Sequence, residues 1–275
     1  LSLCHPDLPE RSIYEIPRID KKARELREAG LLAITDIPDD FSLTEIQQRY
    51  VQLVINGQPI IQAEAIEKWL DGLTFPLYFL DYETFNPAQP IFPGYHPFDH
   101  IIFQFSLHIL DGPDDEPRHA ACLLVEHEDP SDKLVRALLQ DLGPTGSVIV
   151  WHKSAEAGWN TSLAKRCPRF AEQLVGINAR LADLQEIFSK GYYQHPDFYG
   201  SSSLKTVLPV ICPNLRYDDL AIQEGMQTSL TWAALYHGTI EPDAREKVMA
   251  DMLAYCQRDT FARVAIWKLL QNLIQ

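Results

Sequence analysis

The sequence contains few cysteines. Its 275 residues include five, widely scattered and without a Cys-x-x-Cys pair: Cys4, Cys122, Cys167, Cys212 and Cys256. This usage is typical of a reduced, cytoplasmic protein, and it excludes a self-contained zinc or iron–sulfur site. Because the chain begins with Leu1 rather than methionine, we expect it to be part of a longer protein. Cys4 could then complete a site whose other members lie upstream.

The sequence also lacks an excess of positive charge. A net charge of -14 argues against a general nucleic-acid coating protein, which would normally be basic. It leaves a nuclease open, because a metal site is built from acids and the metal brings its own positive charge. Residues 76–140 contain eleven acids and three Lys or Arg, whereas residues 141–220 contain eight of each. We therefore expect any phosphate-facing surface in the second region.

Long apolar runs are absent as well. No stretch approaches the roughly eighteen apolar residues that span a bilayer, and no signal-peptide pattern opens the chain. We therefore expect no membrane partner and a cytoplasmic location.

A buried strand that ends in two carboxylates is the feature around which the chain is organised. Residues 76–84 begin with an apolar and aromatic run, which is typical of a strand covered on both faces. Asp81 and Glu83 are two positions apart, so on a strand they point to the same side, with Tyr82 on the other. Two buried like charges are costly unless a cation lies beside them, and a divalent metal is the simplest remedy. The alternative is a strand end whose acids face water.

The remaining pattern predicts an α/β fold with a mixed sheet. With 46% hydrophobic residues, the chain can bury a full core. Residues 1–74 are predicted to form a small helical segment that links or packs, with helices at 20–29, 42–55 and 60–70. Residues 75–275 are predicted to form the main domain. Its predicted strands are 76–84, 100–110, 118–126 and 146–151. Its predicted helices are 131–142, 154–166, 169–190 with a break near Gly176, 203–210, 228–236 and 242–273.

Further acids occupy positions that fit the first two. Glu156 follows the strand ending at Trp151, in the first turn of a helix, where it could simply favour the helix dipole. Tyr255 and Asp259 are four residues apart in the last helix, which puts the phenol and the carboxylate on one face. Asp183 is the alternative to Glu156 as the fourth acid.

The order of these motifs resembles the RNase H-like 3′–5′ exonucleases, in the tyrosine subclass, whose four acids bind two metals. Asp81 and Glu83 match the first motif, Glu156 takes the place of the usual aspartate of the second, and Tyr255 with Asp259 match the third. The chain is more similar still to an uncharacterised bacterial family in which this domain follows a RecB/Cas4-like nuclease module. The stretches that carry this likeness are residues 78–84, 103–108, 200–209, 217–220 and 255–260.

The resemblance implies an RNase H-like sheet and two Mg²⁺ or Mn²⁺ ions, held by Asp81, Glu83, Glu156 and Asp259, with Tyr255 orienting the attacking water. The second motif departs from the usual pattern, because His152 replaces Asn, Ala155 replaces an aromatic residue and Glu156 replaces Asp. The predicted substrate is nucleic acid, with single-stranded DNA favoured. Its predicted contacts are Phe85, Gln104, Ser203 and Lys205, and Phe92, Tyr95 and Phe98 could stack on bases.

Two other functions remain open from the sequence. The altered second motif and the acidic composition suit a catalytically weakened relative that binds nucleic acid or a protein partner. The same metal chemistry would also suit a phosphohydrolase acting on small nucleotides.

Overall fold

The computed structural model describes residues 7–274, and the predicted strand with two carboxylates is its central strand. This strand, β2, spans Leu77–Phe85 and pairs with β3 (Ile101–Leu110) on one side and β5 (Ser147–Val150) on the other. Strand β4 (Arg118–Leu123) extends the sheet beyond β3, and β6 (Leu181–Asp183) extends it beyond β5. Cys4 lies outside the described residues.

The sheet is mixed, as predicted. Its order is β4-β3-β2-β5-β6, with antiparallel pairing among β2, β3 and β4 and parallel pairing among β2, β5 and β6. Helices cover both faces. The helices of the chain are α1 (Asp20–Glu28), α2 (Glu45–Asn56), α3 (Ala63–Asp71), α4 (Ser131–Asp141), α5 (Lys153–Arg166), α6 (Ala171–Ala179), α7 (Glu186–Ser189), α8 (Leu204–Ile211), α9 (Gly225–Tyr236) and α10 (Arg245–Ile274).

Alternation along β2 divides the core into two layers. Leu77 and Phe79 pack with residues of α3, α8 and α10, whereas Tyr78, Leu80 and Tyr82 pack with residues of α4 and α5. The period of two continues at the end of the strand. Asp81 and Glu83 therefore share one side of the strand, as the sequence predicted, and this side faces α10. On the opposite face, the Tyr82 hydroxyl donates to Asn160 Oδ1 of α5 at 2.7 Å.

The C-terminal half of helix α10 belongs to the first of these layers, and its N-terminal half packs in a further core with Phe103 and Trp232. Its thirty residues contain neither glycine nor proline, and at 1.5 Å per residue it is about 45 Å long. Its buried positions recur every three or four residues, including Met252, Tyr255, Asp259 and Arg263. One helix face therefore brings Tyr255, Asp259 and Arg263 under the end of β2.

The helix predicted over residues 169–190, with a break near Gly176, forms only in part. The chain forms a short 3₁₀ turn at Pro168–Phe170, then α6, then the edge strand β6, and then α7. The strand has only three residues, and so short an apolar run cannot be told from part of a helix by periodicity.

The N-terminal segment is helical, but it also contributes a strand. Residues Ile60–Ile61 form β1, which pairs with β7 (Tyr193–Gln194), and α3 begins only at Ala63. Ile66 and Leu70 of α3 belong to the same core as Leu77. A Cβ at Gly200, where φ is +69°, would lie 2.5 Å from the Glu15 carbonyl oxygen, so the segment packs closely on the larger unit. The boundary at residue 74 stays a prediction.

Between residues 7 and 274, no helix combines the length and the apolar character needed to cross a bilayer. The four cysteines in this range are free thiols.

Candidate functional site

Asp81 lies at the centre of a cluster of buried acids and is paired with a buried arginine. Arg263 Nη2 donates to Asp81 Oδ1, and Arg263 Nη1 donates to the carbonyl oxygen of Leu80. Both side chains are almost fully buried. Burial alone would lower the pKa of Arg263, but the charges of Asp81, Glu156 and Asp259 raise it. The arginine is therefore the resident counter-ion of the cluster.

Glu83 faces the same side as Asp81 and is 7% exposed. One carboxylate oxygen from each acid and the Cys256 sulfur all lie within 4.8 Å of one another. The Cys256 thiol points at Asp81 Oδ2, with 3.9 Å between sulfur and oxygen. Burial, followed by the charges of Asp81 and Asp259, raises the pKa of Glu83 well above its ordinary value. These two oxygens and the sulfur are potential metal ligands that lie close together, and the two carboxyl groups make this place acidic.

Asp259 joins this group from α10, one turn before Arg263. The Tyr217 hydroxyl donates a hydrogen bond to its Oδ1. Burial and the charge of Asp81 raise the pKa of Asp259 to about 7, although the Tyr217 hydrogen bond and the charge of Arg263 act in the opposite direction. A free carboxylate at this position is therefore disfavoured unless a further cation is bound.

Glu156 completes the set of acids from the first turn of α5. It is 2% exposed, and its Oε2 has no hydrogen-bond partner within residues 7–274. Burial raises its pKa to about 8; the charge of Arg263 lowers the value and that of Asp81 raises it. The influence of Asp81 and Arg263 indicates that Glu156 lies in the same electrostatic environment. A buried acceptor without a partner is costly, and a cation bound to this oxygen would remove that cost.

Asp183, the alternative fourth acid, has another role in this structure. Its Oδ1 accepts from the backbone N–H of His152 at 3.0 Å, and its Oδ2 accepts from that of Lys153 at 2.9 Å. Both oxygens therefore satisfy free N–H groups at the start of α5. His152 itself has φ +91°, a left-handed conformation that His adopts more readily than most residues. Asp183 therefore stabilises the turn that precedes α5 and so helps to position Glu156.

Tyr255 lies beside the acids and is 3% exposed. A Cβ built on Gly225, the first residue of α9, would lie 3.9 Å from the Tyr255 hydroxyl oxygen and 4.0 Å from Glu83 Oε2. The phenol and that carboxylate therefore approach the same point, which lies beside the start of α9. Lys205 Nζ is 5.0 Å from the centre of the Tyr255 ring and 5.4 Å from that of Tyr217. The Lys205 ammonium group also donates to the Gln223 carbonyl oxygen, so a cation is held at the edge of the cluster.

The other predicted substrate contacts differ in how far they are buried. Gln104 is fully buried and donates to the Met252 carbonyl oxygen at 3.0 Å, so it ties β3 to α10 and cannot reach a ligand as it stands. Phe85 is partly buried against Trp232, with ring centres 5.5 Å apart. Ser203 is exposed at the N-terminus of α8 and bonds to Thr206. We withdraw Gln104 as a substrate contact.

The predicted stacking residues also divide. All three belong to the loop that follows β2. Phe92 and Tyr95 are buried in the core, whereas Phe98 is 64% exposed. Only Phe98 of these three presents a ring to solvent.

Three residues of the cluster were not predicted from the sequence to belong to it: Cys256, Arg263 and Tyr217. Arg263 follows Asp259 by four residues, so its place on the same helix face could have been inferred from spacing. Tyr217 lies in an irregular connection between α8 and α9, where no periodicity points to its partner.

Comparison with known proteins gives relatives without an assigned activity. A family model described as a domain of unknown function (DUF2779) matches residues 78–203. An uncharacterized protein of Ureaplasma parvum serovar 3 is 23% identical over 283 residues, which cover 95% of this chain and 41% of that protein. An uncharacterized protein of Mycoplasma genitalium is 24% identical over 215 residues, covering 72% and 32%. The chain thus spans less than half the length of these relatives. No solved structure matches the chain significantly.

Proposed function

We propose that residues 75–275 form an RNase H-like 3′–5′ exonuclease domain that hydrolyses phosphodiester bonds of nucleic acid, with single-stranded DNA as the favoured substrate. The observation that carries the proposal is the convergence of four buried acids from three elements: Asp81 and Glu83 from β2, Glu156 from α5 and Asp259 from α10. They meet beside the end of a central strand, where open α/β sheets gather their functional sites.

The acids fit Mg²⁺ or Mn²⁺, which prefer oxygen ligands. Glu156 Oε2 is a buried oxygen without a partner among the described residues. Burial and neighbouring charges raise the pKa values of Glu83, Glu156 and Asp259, and a bound cation would lower these pKa values. When bound, two such ions would supply an activated water and stabilise the leaving oxygen. Asp81, Glu83, Glu156 and Asp259 would hold them.

The remaining side chains would position the substrate and the water. The Tyr255 hydroxyl lies near Glu83, so it would orient the attacking water by a hydrogen bond; its raised pKa, caused by burial and the surrounding acids, keeps the phenol neutral. Lys205 would contact a phosphate oxygen, because its ammonium group is at the edge of the cluster. Ser203 at the start of α8 and Phe85 would contact the terminal nucleotide.

One observation favours a second candidate function. Arg263 already neutralises Asp81 from within the cluster, so the site carries part of the positive charge that a metal would bring. This arrangement suits a catalytically weakened module that binds nucleic acid or a protein partner without cleaving it.

Incubation with labelled single-stranded DNA, with RNA and with a chromogenic phosphodiester, each with Mn²⁺ or with EDTA, tests the proposal. The exonuclease function predicts Mn²⁺-dependent shortening of a nucleic-acid strand. Binding without cleavage would support the weakened module, and hydrolysis of the small ester alone would indicate a small-nucleotide phosphohydrolase.

The location and the partners of the whole protein are also proposals. Scattered free thiols support a cytoplasmic location. The low coverage of the relatives is compatible with an upstream RecB/Cas4-like module.

A further inference from the structure

A groove of about 810 Å³ runs between the N-terminal segment and the main domain. One wall is formed by the start and middle of α2 together with the connection at residues 17–18. The other wall is formed by residues 188–195 and 200–202. Half-buried Tyr192 and exposed Ile46 also line it. The groove is thus open to solvent and bordered by both polar and apolar side chains.

The charge of the groove is opposite to that of the chain as a whole. Its walls include Arg18, Arg49 and Lys190, and, within residues 7–274, they include no Asp or Glu. The chain carries 38 acids against 24 Lys and Arg, so groove walls without acids differ from the acidic composition of the whole chain. A groove lined by one sign of charge attracts ligands of the other sign.

Two nearby acids pair with these cations from outside the groove walls. A carboxylate oxygen of Glu45 lies 3.1 Å from Arg49 Nη2, and one of Glu186 lies 3.0 Å from Lys190 Nζ. The members of these pairs are substantially exposed, so each pair is weak and the cation can turn to another anion. Arg18 is exposed and forms no ion pair with any residue that the structure describes.

One wall of the groove ends at Ser202, which is close in sequence to Lys205. Ser202 is part of its wall, and the Ser202 carbonyl oxygen accepts from Trp151 Nε1 at 3.1 Å and from Gln185 Nε2 at 3.2 Å. These two bonds fix the end of the groove next to the turn that precedes α5. Lys205 is three residues further along, so its Cα lies at most about 11 Å from that of Ser202. This wall residue of the groove is thus close to the lysine whose ammonium group lies 5.0 Å from the centre of the Tyr255 ring.

We propose that this groove binds the phosphodiester backbone of a single-stranded nucleic acid whose end enters the acid cluster. Arg18, Arg49 and Lys190 contact phosphates, and Tyr192 offers a ring on which a base stacks. This inference rests on the proposed exonuclease function for its direction, but the binding itself requires neither metal nor cleavage.

Fluorescence anisotropy in EDTA tests the groove directly. The probe is a labelled oligothymidylate about twelve nucleotides long, within the range of known single-strand sites, and an oligouridylate of equal length forms a second arm. The groove variant is Arg18→Asn with Lys190→Gln, where Asn tolerates the left-handed conformation of residue 18. The control is Arg24→Gln with Lys68→Gln, which removes the same charge from exposed positions outside the groove.

We expect the groove variant to raise the Kd about tenfold and to reduce the slope of log K against log salt by about 1.4, since each single-strand phosphate contact contributes about 0.7. The control should match the parent protein in both quantities. If the two variants behave alike, or if neither oligonucleotide binds the parent protein, the groove proposal is overturned. Binding that depends on the groove without any Mn²⁺-dependent cleavage would instead refute the exonuclease function and leave the groove standing.

Discussion

Arg263 donates a charged hydrogen bond to Asp81 inside the acid cluster, one turn of α10 beyond Asp259. The same helix face thus supplies both an acid and the cation that partly neutralises the acids around it. This relationship explains how four buried carboxylates coexist in a folded chain, and it is the source of the first prediction.

Replacing Arg263 by Met should strongly destabilise the protein in EDTA. The change leaves Asp81 buried without its partner, and breaking a buried ion pair from one side typically costs about 3–5 kcal/mol. The measurement is urea unfolding at neutral pH. Arg258→Met is the matched control on the same helix, because Arg258 pairs with exposed Asp219 at 2.9 Å and should cost at most about 1 kcal/mol. Equal losses in the two variants would show that Arg263 is not the counter-ion of the cluster.

Glu156 and Asp183 should respond differently to loss of charge. Glu156→Gln should weaken Mn²⁺ binding measured by calorimetry, because it removes a buried ligand oxygen's charge. Asp183→Asn should leave Mn²⁺ affinity nearly intact and cost about 1 kcal/mol of stability through weaker capping of α5. Abolished binding in Asp183→Asn with normal binding in Glu156→Gln would reverse the assignment.

Stability without metal should fall as pH rises. The pKa of Glu156 is raised from 4.5 to about 8, and that of Asp259 from 3.8 to about 7, so the folded chain retains protons that the unfolded chain has released. The free energy of unfolding in EDTA should therefore decrease from about pH 4 to about pH 8, by an amount on the order of a few kcal/mol. Urea unfolding across this range measures it.

Glu156→Gln is the informative variant for this pH dependence. It removes one titrating group, so it should flatten the fall and be more stable than the parent protein near the upper end of the range. An unchanged pH profile in this variant would contradict the raised pKa of Glu156.

Tyr255 should matter for rate and not for metal binding. Tyr255→Phe removes only the hydroxyl and keeps the packed ring, so folding and Mn²⁺ affinity should barely change. Loss of one water-positioning hydrogen bond should lower the cleavage rate roughly ten- to a thousand-fold. Asp259→Asn should weaken both Mn²⁺ binding and turnover. Cleavage at the parental rate by Tyr255→Phe would make this tyrosine ordinary core packing.

The sequence predicted the parts of the site that depend on local periodicity. The alternation of β2 predicted that Asp81 and Glu83 face one side and Tyr82 the other, and the structure confirms this arrangement. The mixed sheet flanked by helices is likewise confirmed. These features follow from periods of two and 3.6 residues, which a single sequence displays.

Features that depend on long-range contacts could not be predicted in the same way. Tyr217 reaches Asp259 across 42 positions from an irregular connection, and β6 is too short to show a period. The helical position predicted for Asp183 hid its capping role, since its partners at 152 and 153 become neighbours only when β6 pairs with β5.

The most direct test of the account follows the length of a single-stranded DNA labelled at its 5′ end during incubation with Mn²⁺. The parent protein should produce a ladder of progressively shorter labelled products, as removal of nucleotides from the 3′ end requires. EDTA and the Asp259→Asn variant should both abolish the ladder. A parent protein that yields no more product with Mn²⁺ than with EDTA, or that cuts no faster than Asp259→Asn, would contradict the proposal that these four acids form a nuclease site.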